Sequence, residues 1–159
     1  EDCRRLAEFH GLPYHHLPVT ADNKPEQEAA LYALMETERV DLLVLARYMQ
    51  ILSDDLCRRI EGRAINIHHS FLPGFKGARP YHQAYERGVK VIGATAHYVT
   101  SDLDEGPIIA QEVRPIDHQV SVQQMVHYGH DIEATALAQA VRLHCEQRVI
   151  LNGQRTVIL

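Results

Sequence analysis

Short apolar runs between helical segments limit the folds open to this chain more than any other feature. Residues 41–46 read Asp-Leu-Leu-Val-Leu-Ala without apolar–polar alternation, which is typical of a strand covered on both faces. Residues 64–67, Ala-Ile-Asn-Ile, predict a second buried strand. Because predicted strands alternate with predicted helices, the sequence indicates an α/β fold with a largely parallel sheet.

The remaining elements follow from apolar periodicity and from cap and turn residues. Predicted helices cover residues 2–10, 25–39, 53–60, 80–87 and 121–147, and further predicted strands cover residues 14–17, 91–100 and 107–113. Asn152-Gly153 predicts a hairpin turn between residues 148–151 and 156–159. The turn at residues 101–106 predicts one antiparallel strand in a mixed sheet. Residues 69–79, with Pro73, Gly74 and Gly77, are expected to form a loop.

Length and charge restrict the class of protein. The 159 residues suit one domain, which we predict to span residues 1–159. Sixteen Lys and Arg against 21 Asp and Glu give a net charge of −5, which argues against a nucleic-acid or anionic membrane partner. No apolar run approaches the roughly 18 residues of a membrane-spanning helix. The spacing of the three cysteines matches neither a disulfide framework nor a metal site: Cys3, Cys57 and Cys145. We therefore expect free thiols in the reducing cytoplasm.

The first predicted element is a peripheral helix rather than a strand. An α/β domain does not normally begin in this way, and the first residue is Glu1 rather than methionine. We therefore expect that at least one strand–helix unit precedes this segment in the intact protein.

Asn66 and His68 are the first candidate functional residues. Side chains alternate along a strand, so both project to one face while Ile65 and Ile67 project to the other. The Asn66 amide can donate to a carbonyl oxygen that gathers negative charge, and the His68 imidazole can move a proton near neutral pH. The alternative is that Asn66 satisfies backbone groups at a strand end and that His68 is a packed core histidine.

An acidic turn is the second candidate. Asp102, Asp104 and Glu105 place three carboxylates within four positions. Most such turns are solvated loops, so a function for this one depends on whether it lies near His68.

These segments carry a resemblance to a known family. Asn66-Ile67-His68, followed by Ser70, Leu72-Pro73 and Gly77, resembles the active-site signature of the formyltetrahydrofolate-dependent formyl-transfer enzymes. Residues 93–100 and 103–109 are similar to the substrate loop of that family. Residues 68–73 and 78–85 look most like its deformylase branch, and His69 stands where glycinamide ribonucleotide formyltransferases typically have proline. The resemblance covers essentially the whole chain and is most specific from residue 65 to residue 111.

The resemblance implies a fold, a reaction and a set of site residues. The fold is a three-layer, Rossmann-like formyltransferase fold with a mostly parallel mixed sheet, which in deformylases follows a small regulatory ACT domain. The reaction is hydrolysis of 10-formyltetrahydrofolate to tetrahydrofolate and formate, without a cofactor or a metal. The implied catalytic residues are Asn66, His68 and Asp104. The implied folate-binding residues are Met49, Gln50, Ile51, Leu52, Thr100 and Ser101, and the formyltransferase relative has arginine at the position of Gln50.

Three other functions remain open from the sequence. The nearest is transfer of the formyl group to an amine such as glycinamide ribonucleotide. A metal site would use His127 and His130 on the longest helix, whereas the adjacent pairs at 15–16 and 68–69 should alternate faces and chelate poorly. A folate-binding protein without activity is the third. We expect a small folate as partner, no nucleic acid, no membrane, and a homo-oligomer for the intact protein.

Overall fold

The computed structural model describes residues 1–69 and 80–159, which form two compact units, residues 1–40 and residues 41–159. The first unit contains helices α1 (Asp2–Phe9) and α2 (Lys24–Thr37). Residues 14–17 form no strand, so that prediction is wrong. They are mostly exposed and lie between Pro13 and Pro18, which have no N–H to donate to a neighbouring strand.

The second unit is built on a four-stranded sheet. Its strands are β1 (Leu43–Leu45), β2 (Ala64–His68), β3 (Val91–Tyr98) and β4 (Ile108–Pro115), in that spatial order. β1 pairs parallel with β2, and both pairings of β3 are antiparallel, so among these strands β3 runs against the other three. The predicted mixed sheet with one reversed strand is confirmed. Val44 in the edge strand β1 is 39% exposed. The prediction that both faces of this strand are buried is therefore wrong at Val44.

Three helices and a hairpin complete the second unit. The helices are α3 (Asp54–Arg59), α4 (Pro80–Glu86) and α5 (Val122–Cys145). The hairpin joins β5 (Val149–Asn152) to β6 (Arg155–Ile158), which confirms the predicted hairpin. Asn152 pairs with Arg155, so the two loop residues are Gly153 and Gln154, one position later than predicted. The predicted loop from residue 69 to residue 79 lies, apart from His69, outside the described residues.

One face of the sheet packs against α5. Alternate residues of β3 point to this face and are buried there: Ile92, Ala94, Ala96 and Tyr98. Met125 and Ile132 of α5 pack in a cluster with Ile92 and Ala94, and Leu143 packs in a cluster with Tyr98. The intervening side chains of β2 and β3 therefore project from the opposite face.

None of the helices in the described ranges is long and apolar enough to cross a bilayer.

Candidate active site

Strands β2 and β3 place polar side chains next to one another on the face opposite α5. In the antiparallel register, Asn66 lies beside His97, and His68 lies beside Thr95. Ile65 and Ile67 point to the other face and pack in its core. The spacing of Asn66 and His68 therefore puts both side chains on one face, as expected from strand alternation.

Asp104 reaches this face from the turn after β3. Its Oδ2 lies 3.2 Å from Nδ1 of His68, and its Oδ1 lies 3.7 Å from Nε2 of His97. Asp104 has a left-handed backbone with φ of 57°, and the Thr100 hydroxyl stabilises the turn by donating to the Asp102 carbonyl at 3.1 Å. The turn thus folds back over the sheet and brings together the three residues that the resemblance implied, Asn66, His68 and Asp104.

Gly106 allows the turn to pass this close to β3. A Cβ atom at this position would lie 1.8 Å from the Tyr98 carbonyl oxygen and 3.2 Å from Nδ1 of His97. Tyr98 in turn donates its backbone N–H to the Pro107 carbonyl at 2.9 Å, which fixes the backbone on both sides of the contact. Any side chain at position 106 would therefore push the turn that carries Asp104 away from the sheet.

The His68 imidazole is buried and neutral, and can therefore accept a proton. It is 8% exposed, and burial lowers its pKa, an effect that the Asp104 carboxylate opposes. The neutral ring donates Nδ1–H to Asp104, which leaves the lone pair on Nε2. That Nε2 is buried, and no described residue offers it a hydrogen bond. The site therefore contains a buried proton acceptor that has no hydrogen-bond partner among the described residues.

His97 fixes the orientation of the Asn66 amide. Its Nδ1 lies 2.8 Å from the Tyr98 carbonyl oxygen, and since a carbonyl only accepts, Nδ1 carries the proton. Burial lowers the pKa of His97, so the ring is neutral and Nε2 is an acceptor. The Asn66 amide nitrogen, 3.4 Å from that Nε2, donates to it. One N–H of Asn66 is thereby held, and no hydrogen bond joins the other to a described residue.

Sequence reasoning gave His97 no role, although it lies within the family-like segment. The signal that identifies it is the strand register, because Asn66 and His97 are direct cross-strand neighbours. That register depends on pairing residues 31 positions apart, which spacing in the sequence does not give.

His69 lies beside His68 rather than on the opposite face. The two rings stack with centroids 4.7 Å apart and planes at 25°. The expectation that the adjacent pair alternates faces is wrong, because β2 ends at His68 and strand alternation does not extend to His69.

The residues implied to bind folate lie at two places. β1 and β2 run parallel, with Leu45 beside Asn66, so the segment after β1 leaves the sheet at the same edge as His68. In that segment Met49 and Ile51 are 78% and 57% exposed. Gln50 is also exposed, whereas Leu52 is buried. In the turn after β3, Thr100 is half-buried and Ser101 is exposed.

The histidines considered for a metal lie on α5. His127 is exposed and its Nε2 is 3.9 Å from the carboxylate of Asp131, one helical turn away. Within residues 1–69 and 80–159, no group of three or more His, Cys, Asp or Glu side chains is arranged to hold a metal ion. The structure therefore gives His127 and His130 no third ligand from the described residues.

Known proteins match the chain over nearly its whole length. A formyltetrahydrofolate deformylase of Corynebacterium sp. (strain P-1) is 59% identical over 158 residues, which are 99% of this chain and 55% of that protein. The crystal structure of a formyltetrahydrofolate deformylase from Burkholderia mallei superposes with a TM-score of 0.95 at 57% identity, over 99% of this chain and 56% of that one. The chain thus spans about half the length of these relatives.

A more distant structure and a family model agree with these matches. Glycinamide ribonucleotide transformylase 1 from Symbiobacterium toebii superposes with a TM-score of 0.87 at 34% identity, over 98% of this chain and 74% of that one. The model of the formyl transferase family matches residues 4–141. The α/β fold with its mixed sheet is the formyltransferase fold, and the chain belongs to the formyl transferase family.

Proposed function

We propose that this chain is the catalytic domain, residues 1–159, of a formyltetrahydrofolate deformylase, which hydrolyses 10-formyltetrahydrofolate to tetrahydrofolate and formate. The observation that carries the proposal is the buried, neutral His68, bound through Nδ1 to Asp104 at 3.2 Å and with Nε2 free of described partners. The names of relatives that are 45–59% identical support the choice of reaction.

The first step is the attack of water on the formyl carbon. His68 Nε2 accepts a proton from the water as the new C–O bond forms, and the carbonyl electron pair moves onto the oxygen. Asn66, held by His97, donates its second N–H to this oxyanion. One such donor is typically worth about 2.7–4 kcal/mol in the transition state.

The second step is the departure of the tetrahydrofolate nitrogen. The oxyanion reforms the carbonyl, the C–N bond breaks, and His68 returns its proton to the leaving nitrogen, which yields tetrahydrofolate and formic acid. Formic acid then ionises to formate. Between the steps the imidazolium is stabilised by the Asp104 carboxylate, whose Oδ2 is in contact with Nδ1.

The folate ring is proposed to bind at the edge where β1 and β2 end. Exposed apolar side chains there, Met49 and Ile51, would cover the faces of the pterin ring, and backbone groups of the turn after β3 would bind its polar edge. Buried Leu52 would support this wall from beneath. The proposed pocket residues are Met49, Gln50, Ile51, Leu52, Thr100 and Ser101.

The remaining features of the proposed enzyme concern its partners. We propose that it requires no cofactor or metal besides its folate substrate and binds neither nucleic acid nor membrane. We further propose that the intact protein works in the cytoplasm as a homo-oligomer.

Formate release from 10-formyltetrahydrofolate tests the function. In the full-length protein we expect His68→Ala to lose at least about 100-fold in kcat, the usual contribution of a general base, whereas His127→Ala, at an exposed position on α5, should retain full activity. Residual activity within tenfold of the unaltered protein would contradict the role of His68. Tetrahydrofolate formed only when glycinamide ribonucleotide is added would show a transferase instead.

A further inference from the structure

His69 contributes a second buried ring nitrogen to the site. Its ring stacks on His68 at 4.7 Å, and its Nε2, like that of His68, is buried with no hydrogen-bond partner among the described residues. Most buried polar atoms in proteins have a partner, and an unsatisfied one is destabilising. One polar ligand in contact with both stacked rings would give both atoms a hydrogen-bond partner.

The groups around His68 and His69 limit the chemical class of this ligand. The His68 Nδ1 is already bound to Asp104, so Nε2 is the ring nitrogen left to bind a ligand. No described His, Cys, Asp or Glu completes a metal-binding set there. The Asn66 amide, which faces the same side of the sheet, is assigned to the substrate oxyanion in the proposed mechanism. A small neutral molecule that both donates and accepts hydrogen bonds satisfies both ring nitrogens.

We propose that His69 binds the attacking water and holds it beside His68, and so directs the site toward hydrolysis; this inference rests on the proposed function. The water donates one hydrogen bond to His68 Nε2 and a second to the lone pair of His69 Nε2. Its lone pair then attacks the formyl carbon, the proton passes to His68, and the later steps are unchanged. His69 neither gains nor loses a proton over the cycle.

A competing nucleophile separates this role from a structural one. Hydroxylamine attacks the same formyl group and gives N-formylhydroxylamine in place of formate, and both reactions form tetrahydrofolate. The ratio of the two products is independent of the folded fraction and of folate affinity. It changes when the rate of attack by water changes relative to the rate of attack by hydroxylamine.

Three variants of the full-length protein form the test. His69→Phe keeps a ring able to stack on His68 and removes Nε2, whereas His69→Gln keeps a polar group of similar reach. His127→Phe removes an exposed imidazole on α5 as a control. We expect the ratio of N-formylhydroxylamine to formate to rise about tenfold in His69→Phe, the effect of one lost hydrogen bond. It should stay within about threefold of the unaltered protein in the other two variants.

The outcomes distinguish the two proposals. If the unaltered protein releases formate but His69→Phe leaves the product ratio unchanged, the role of His69 is wrong while the deformylase function stands. If the unaltered protein forms neither formate nor N-formylhydroxylamine, the proposed function fails and the role of His69 fails with it.

Discussion

Replacing Gly106 by alanine tests how the turn delivers Asp104 to the site. The new Cβ would lie 1.8 Å from the Tyr98 carbonyl oxygen, whereas ordinary contact begins at 3.4 Å, about 1.6 Å farther apart. Neither atom belongs to a flexible side chain, and Tyr98 is held in β3 by its pairing with Ile65. The turn must therefore take up most of the displacement.

The displacement of the turn is large compared with the lengthening that would break the hydrogen bond between Asp104 and His68. Asp104 Oδ2 is 3.2 Å from His68 Nδ1, and a separation of about 3.6 Å no longer counts as a hydrogen bond. A misplacement of about 1 Å at a catalytic group typically costs about 100-fold in rate. We therefore expect Gly106→Ala to lose about 100-fold in kcat for formate release and about 1–3 kcal/mol in the free energy of unfolding.

Gly153→Ala provides the matched control. Gly153 has φ of 60°, and a Cβ added there would have no heavy atom within 4 Å, so alanine costs backbone strain of about 1–2 kcal/mol without touching the site. Denaturant unfolding should show a comparable loss of stability for both variants, and steady-state formate release should show a loss of activity only for Gly106→Ala. If Gly106→Ala keeps activity within threefold of Gly153→Ala, the turn does not position Asp104 as argued.

Two further predictions concern the histidines. Burial lowers the pKa of His68, opposed by Asp104 and reinforced by His69 and His97, so the half-maximal point of kcat/KM on the acid side should lie below pH 6.5; a half-maximal value above pH 6.5 would contradict this. Because the pKa of His68 is lower in the folded protein than in the unfolded chain, the unfolded chain binds more protons below pH 6.5. The free energy of unfolding should therefore decrease as the pH falls from 6.5 toward the folded pKa of His68. His97→Phe removes the acceptor that holds Asn66 and should lower kcat about tenfold with little change in the folate KM; a loss confined to KM would show that His97 does not act through Asn66.

Local sequence signals predicted most of the elements. Ser53 caps α3 by accepting from the Leu56 N–H at 3.3 Å, and Ser121 begins α5 through a capping box with Gln124. These contacts join residues three positions apart, so sequence spacing determines them. The predicted strand at residues 14–17 failed because strand formation requires a pairing partner, and spacing alone does not supply one.

Only the part of the site formed by residues close to one another in sequence was predictable. Alternation along β2 put Asn66 and His68 on one face, but the distance from His68 to Asp104 depends on the left-handed backbone at Asp104 and on the close approach at Gly106. The stacking of His69 depends on β2 ending one residue earlier than the alternation argument assumed. These are properties of backbone path and strand register, which residue types do not determine.

The hairpin formed by β3 and β4 has a consequence for how the protein folds. Contacts within it are close in sequence, such as the Gln111 side chain bonded to Thr95 at a separation of 16 residues, and its turn carries Asp104. Asn66 and His97 meet only when strands 31 residues apart have paired, which closes a longer loop at a greater cost in chain entropy. During refolding the carboxylate turn and His97 can therefore order first, and recovery of activity will follow the slower docking of β2.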